Sequence, residues 1–245
     1  HFKSVSWDFM AYSLNAKYFF RNFSYFEWVR PPLTPFLISL FSVFTWKIAE
    51  YGYIVFVSFL HLFSCVCLSK KLKFNPTYFY ILSISPFLLF DGLFVGTELL
   101  ALSLLQLMIA YLNYSGIFLA LLFLTRYPAI IFSPIVLFLK DHKKIIKNLI
   151  FFSLIVGIWL LFNYIKTGNP LTSILDIYAK DIKSGSYHTM PFNFLDILKV
   201  GLYLIPLALV GIIKKLKKIK KMNKFDYIML LILLLVIFQY YSIPF

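Results

Sequence analysis

Charge is what this sequence has least of. Only 14% of its 245 residues are Asp, Glu, Lys or Arg, and just 10 of those are acidic, whereas 61% are hydrophobic. With a mean hydropathy of +0.83, polar surface is too scarce to cover a water-soluble globule, and repeated apolar runs of spanning length take its place. The alternating ten-residue segments of a transmembrane β-barrel are missing, which leaves helices as the spanning element. Cysteine is scarce as well. The two present, Cys65 and Cys67, lie two apart in one apolar run, where a helix points them to different sides. No ordinary disulfide closes between them, and both read as lipid-facing or packing residues. There is no clear internal repeat, no initiator methionine and no cleavable leader, and the sequence stops at Pro244-Phe245, so both ends read as cut.

What is present in excess is basic charge and aromatic rings. The formal charge of +14 would suggest nucleic acid in a soluble protein, but here the lysines fall in short clusters between apolar runs. Such clusters are topology signals, and no nucleic-acid partner is expected. The expected fold is all-α, a polytopic transmembrane helical bundle with an extracytoplasmic loop that carries juxtamembrane helices, in the cell membrane. We read 1–245 as one domain: a first outer loop at 1–50, transmembrane helices at 51–166, an outer loop at 167–193 and further transmembrane helices at 194–245. Pro31 to Ala49 is short for a span and fits a helix that lies at the interface or dips into the membrane face. Tyr51 to Ser69 crosses and ends at Lys70, Lys71 and Lys73. Pro76 to Phe90 follows, with a break at Asp91-Gly92, then Glu98 to Leu112.

Ser115 to Leu139 decides the topology. As one helix it would bury Arg126 near the bilayer centre, at a cost of at least about 2.5 kcal/mol, and Pro128 would interrupt its hydrogen-bond ladder. Two short helices meeting at Thr125-Arg126-Tyr127-Pro128 avoid both penalties. With that split, and with Pro31 to Ala49 not crossing, the clusters Lys70 to Lys73, Lys140 to Lys147 and Lys214 to Lys224 all fall on the cytoplasmic side. Asp8, Arg30, Asp91, Glu98, Arg126 and the loop holding His188 then face the other way, with remaining spans at Asn148 to Ile165, Phe194 to Ile213 and about Asp226 to Tyr241.

Acidic side chains beside arginines at a membrane surface suit a site that binds a lipid-linked phosphate and activates a hydroxyl or amine. The segments D-x-x-x-Y (Asp8 to Tyr12), Y-F-E-x-x-R-P-P-L (Tyr25 to Leu33), S-P-F-L-L-F-D-G-L-F-V-G-T-E (Ser85 to Glu98) and L-T-R-Y-P (Leu124 to Pro128) resemble the GT-C superfamily of membrane glycosyltransferases. The branches most similar are the protein O-mannosyltransferases and the lipid A aminoarabinose transferases. The resemblance runs on to Gly168-Asn169-Pro170-Leu171. It implies an inverting transfer of a sugar from a polyprenyl- or dolichyl-phosphate donor to a protein or lipid acceptor at the extracytoplasmic face, among membrane lipids.

In this resemblance Asp8 is the general base and Glu98 the acidic residue of the second outer loop, both catalytic candidates. Arg30 and Arg126 are the donor-phosphate candidates. Tyr12, Lys17, Glu27, Asp91 and His188 are candidates for substrate contact. No metal ligands and no cofactor are assigned, and a divalent cation is compatible with the chemistry. The sequence departs from the family where Asp8 is followed by Phe9 instead of a second carboxylate, and the family's first helix and C-terminal spans are not in it. Each residue also has a structural role open to it: Asp8 as a helix cap, Glu98 as a dipole partner at a helix start, and the arginines as headgroup anchors. The rival function is a transporter or flippase of lipid-linked or anionic solutes, which calls for internal repeats and polar residues at mid-membrane.

Overall fold

The computed structural model describes residues 7–21, 25–43, 45–84, 96–139, 141–176 and 223–242, which contain helices and no strand. The chain divides into two compact units, His1–Ala179 and Lys180–Phe245. The first holds α1 (Trp7–Arg21), α2 (Leu33–Phe41), α3 (Trp46–Leu72), α4 (Pro76–Ser83), α5 (Glu98–Ala110), a turn at Leu112–Tyr114, α6 (Ser115–Thr125), a tight three-residue-per-turn helix at Tyr127–Phe138, and α7 (His142–Thr167). The second contributes α8 (Lys224–Ser242), begun by a reciprocal cap in which the Asn223 side chain accepts from the Asp226 amide and the Asp226 carboxylate from the Asn223 amide, each at 3.0 Å. The expected span at Phe194 to Ile213 lies outside the described residues.

Among the described residues two helices are long and apolar enough to cross a membrane, Ile48–Leu72 within α3 and His142–Thr167; counting the bent pair Glu98–Ala110 and Leu112–Thr125 as one span gives a third. The ends of both long helices are written in local chemistry. Thr45 accepts the Ile48 amide at 3.2 Å to start α3, and Lys73 closes it with a left-handed φ of 60° after Lys70 and Lys71, whose charges suit the carbonyl end of the helix dipole. Asp141 caps α7 through the Lys143 amide at 3.0 Å, and Gly168 at φ 76° ends it. Along α7, Leu149, Leu154, Ile158, Leu161 and Ile165 are exposed, a continuous apolar stripe that lipid would cover.

The structure corrects one boundary. The stretch expected to form a single interfacial helix, Pro31 to Ala49, is divided, because α2 stops at Phe41 and α3 starts at Trp46. The Ser39 and Ser42 hydroxyls turn back onto the carbonyls of Phe36 (2.6 Å) and Ser39 (2.7 Å), and the Thr45 cap then restarts the ladder, so the long helix begins a turn earlier than its hydropathy suggests. The break in Ser115 to Leu139 falls at Arg126 as expected. There the backbone is extended (φ −149°, ψ 113°), and Pro128 and Pro134 remove the amides that a continuous α-helix would need.

The core of the first unit joins Phe9 and Tyr12 of α1, Ile38 of α2, Tyr53 and Val57 of α3, Leu100 and Leu104 of α5, and Leu122 of α6. Beyond it, α7 is locked to α6 by Asn148, which is wholly buried. Its Oδ1 accepts the Gly116 amide at 2.7 Å, while its Nδ2 donates to the carbonyls of Asn113 (3.2 Å) and Lys144 (2.8 Å). Gly116 permits that approach, since a Cβ there would lie 2.0 Å from the Asn148 carbonyl oxygen. Backbone cannot swing aside as a side chain can. Gly116→Ala should therefore separate α6 from α7 and destabilise the first unit by about 3 kcal/mol, read as a lowered midpoint in thermal unfolding in detergent. An unchanged midpoint would mean that the two helices do not meet there.

Candidate functional site

Two groups of polar residues mark opposite ends of the first unit. At one end the Cys67 thiol is 3.3 Å from the Tyr111 hydroxyl, Lys147 stands 4.9 Å from the Tyr114 ring centre, and Asn148 holds Asn113. Lys70, Lys71 and Lys73 close α3 at this end, and Lys143, Lys144 and Lys147 open α7 there. The opposite end holds the first turn of α1, the start of α5 and the end of α6. There Arg126 Nη1 meets Glu98 Oε1 at 2.7 Å, and Arg30 Nη1 meets Asp8 Oδ1 at 2.6 Å.

Arg30 is placed by a short relay. Asn15, fully buried on α1, accepts the Glu27 amide at 2.8 Å and donates to the Glu27 carbonyl at 3.0 Å, so one side chain satisfies both backbone groups of a loop residue. A turn then returns the Arg30 amide to the Glu27 carbonyl (3.1 Å), and the Glu27 carboxylate takes Arg30 Nε at 3.4 Å. Asp8, Tyr12 and Asn15 recur at helical spacing along one stripe of α1. Tyr12 lies under Arg30, whose guanidinium carbon is 5.5 Å from the ring centre.

Tyr12 also ties the two ion pairs together. Burial pushes its phenol up, against the lowering pull of Arg30 and Arg126, so the buried hydroxyl stays protonated while its oxygen accepts from Arg30 and it senses Arg126 and Asp8. For Arg30, burial alone would lower the pKa, but Tyr12, Asp8 and Glu27 together outweigh it and the result is raised; the guanidinium keeps its charge. The backbone reinforces the junction. The Tyr53 hydroxyl donates to the Gly96 carbonyl two residues before Glu98, and Gly96 at φ +88° presses on the Phe9 ring beside Asp8. A Cβ on Gly96 would reach 2.6 Å from that ring.

The structure thus gathers Asp8, Tyr12, Glu27, Arg30, Glu98 and Arg126 at one end. Lys17 does not join them. It lies nine residues past Asp8, about 13 Å along a helix, with its ammonium 5.7 Å from the centre of the Trp46 ring. Asp91 and His188 lie outside the described residues. Asn15 and Tyr53 were not among the sequence candidates, although the spacing of Asn15 from Asp8 and Tyr12 was a readable signal. Among the described residues no three His, Cys, Asp or Glu side chains converge on a metal position.

Three carboxylates face two guanidiniums here, a formal balance of −1. The members differ in access. Arg126 has 44% of its side chain exposed and Asp8 42%, but Arg30 only 15%. Of the two guanidiniums, Arg126 is the more accessible to an anion entering this end, whereas Arg30 is held behind its carboxylates. Asn15→Ala should leave the Glu27 amide unsatisfied, at about 1–3 kcal/mol, take one of two donors from the Glu27 carbonyl, and release the Arg30 loop. Hydrogen exchange should then rise at residues 25–30 while the amides of α7 stay protected; protection unchanged at 25–30 would contradict the relay. No family model, curated protein sequence or solved structure matches this chain.

Proposed function

We propose that this chain is a polytopic membrane glycosyltransferase that moves a sugar from a polyprenyl- or dolichyl-phosphate donor to a protein or lipid acceptor. The site is the end of the first unit where Asp8, Tyr12, Arg30, Glu98 and Arg126 meet, and it faces the extracytoplasmic side. The observation that carries this reading is the paired arrangement Arg30–Asp8 and Arg126–Glu98 around Tyr12, at the end remote from Lys70 to Lys73 and Lys143 to Lys147. Lysine-rich ends stay cytoplasmic. The resemblance in the motifs of Asp8, Arg30, Glu98 and Arg126 supports the same assignment.

In this mechanism the donor phosphate meets Arg126 first and then competes with Asp8 for Arg30. A guanidinium offers a planar two-pronged donor set that fits either a carboxylate or a phosphate. Once phosphate occupies Arg30, Asp8 is released from its ion pair and becomes free to take the proton of the acceptor hydroxyl as that oxygen attacks the anomeric carbon. The lipid phosphate leaves from the opposite face, which inverts the configuration. Glu98 orients Arg126. Tyr12 supports the Arg30 guanidinium with its ring and its hydroxyl oxygen.

The transporter reading has one observation of its own, the buried polar residues His61 and Gln106 in the middle of apolar helices. Transport of a lipid-linked solute without transfer of its sugar would favour it.

Competition makes an unusual prediction for Asp8→Asn. A partly exposed ion pair contributes up to about 1 kcal/mol, so removing the competing carboxylate should tighten binding of a polyprenyl phosphate by up to about fivefold. Sugar transfer should at the same time fall by about 10²- to 10⁴-fold through loss of the base. Arg30→Lys keeps the charge but loses the fork, and should weaken donor binding while leaving turnover at saturation measurable. Both are read in liposomes, by binding of the lipid phosphate and by transfer from a polyprenyl-phosphate sugar. Unmodified turnover in Asp8→Asn would refute Asp8 as the base.

A further inference from the structure

The two ends of the first unit settle their charges differently. At the Asp8 end the guanidiniums close onto carboxylates of the chain itself. At the other end Lys70, Lys71, Lys73, Lys143, Lys144 and Lys147 are all exposed, and none of them forms an ion pair among the described residues. One described carboxylate accompanies these six ammonium groups, Asp141, which accepts the Lys143 amide at 3.0 Å as the cap of α7. The described residues leave this end a large excess of positive charge.

Lys147 is the member held in a fixed place. Its neighbour Asn148 is buried and fastens both flanks of Tyr114, accepting the Gly116 amide and donating to the Asn113 carbonyl. The Tyr114 ring centre is thereby kept 4.9 Å from the Lys147 ammonium, and the Phe151 ring, one turn further along α7, lies 5.4 Å from it. Rings attract the ammonium without neutralising it. Along α7, Lys143, Lys147, Ile150 and Leu154 follow one another at intervals of three and four, so they share one stripe of the helix. Ile150 and Leu154 are exposed and continue into the apolar stripe at Ile158, Leu161 and Ile165.

We propose that this end of the first unit is a docking surface for anionic phospholipids, with a headgroup phosphate seated on Lys143 and Lys147 and an acyl chain laid along Ile150 and Leu154. Charge complementarity selects the head, since ammonium groups without a carboxylate partner pair with a phosphate and attract an anionic leaflet. The continuity of the stripe selects a lipid, because a free phosphate would leave the apolar half of it uncovered. Neither Lys143 nor Lys147 belongs to the ion pairs of the proposed transferase site, and the proposal stands apart from that reading.

The test uses the full chain in lipid nanodiscs, made of phosphatidylcholine alone or with phosphatidylglycerol mixed in. Acylation of each lysine by an amine-reactive ester is followed by peptide mass spectrometry. Lys143 and Lys147 should react at least about fivefold more slowly when the anionic lipid is present, and about 1 M salt should restore most of the reactivity. Lys17, over Trp46 at the other end, should keep its rate. Tyr114→Leu removes a ring and no charge, so it should weaken the protection of Lys147 by about threefold and leave Lys70 and Lys71 as they were. The comparison of the two nanodiscs needs no variant, so a folding defect cannot imitate it. Unchanged acylation of Lys143 and Lys147, equal slowing at Lys17, equal protection by inorganic phosphate in phosphatidylcholine alone, or full protection of Lys147 in Tyr114→Leu would each overturn the proposal.

Discussion

The candidate site depends on where one guanidinium is held. Arg30 sits on a loop between two helices, which is a poor support for a charge that must keep a fixed direction. The fold compensates by clamping the loop to α1. Asn15 takes both backbone groups of Glu27, the turn from Glu27 carries Arg30, and Asp8, two turns back along the same stripe of α1, receives it at 2.6 Å. One helix face therefore supplies the clamp, the aromatic floor and the acidic partner. Loosening α1 would disperse all three.

The second ion pair is placed by an independent device, which is why the two arrive together only in the folded chain. Glu98 opens α5, where the helix dipole favours an acid, and Arg126 sits in the break after α6, where extended backbone and Pro128 stop the helix. The bend of 113° between Glu98–Ala110 and Leu112–Thr125 turns the chain back on itself, and the pair closes at 2.7 Å. Tyr12 is the hinge between the devices, because it touches Arg30 and senses Arg126.

Much of this was legible before any coordinates. Helical class, the long helix into Lys70, the break at Arg126 and the separation of Lys70 to Lys73 and Lys143 to Lys147 from Asp8 and Glu98 follow from hydropathy, proline chemistry and the cost of burying charge, while the cluster expected at Lys214 to Lys224 lies, up to residue 222, outside the described residues. The division of Pro31 to Ala49 was not legible, because hydropathy does not distinguish a continued helix from one interrupted by serine back-bonds and restarted by a threonine cap. The buried hydrogen-bonded group of His61, Cys65 and Gln106 was also missed, with Cys65 read as a packing residue. Its members come from α3 and α5, 41 residues apart between Cys65 and Gln106, and no local pattern records such a meeting. Asn15 is the intermediate case, since its stripe was visible but its partner, a loop backbone, was not.

The central claim is that an anionic lipid phosphate exchanges with Asp8 at Arg30. It is tested most directly by determining the structure of the chain in nanodiscs with a bound polyprenyl phosphate. The account predicts phosphate density between the Arg126 and Arg30 guanidiniums, with the Asp8 carboxylate turned off Arg30 toward the open side. Density for the phosphate at the lysine-rich end, with both ion pairs intact, would contradict it.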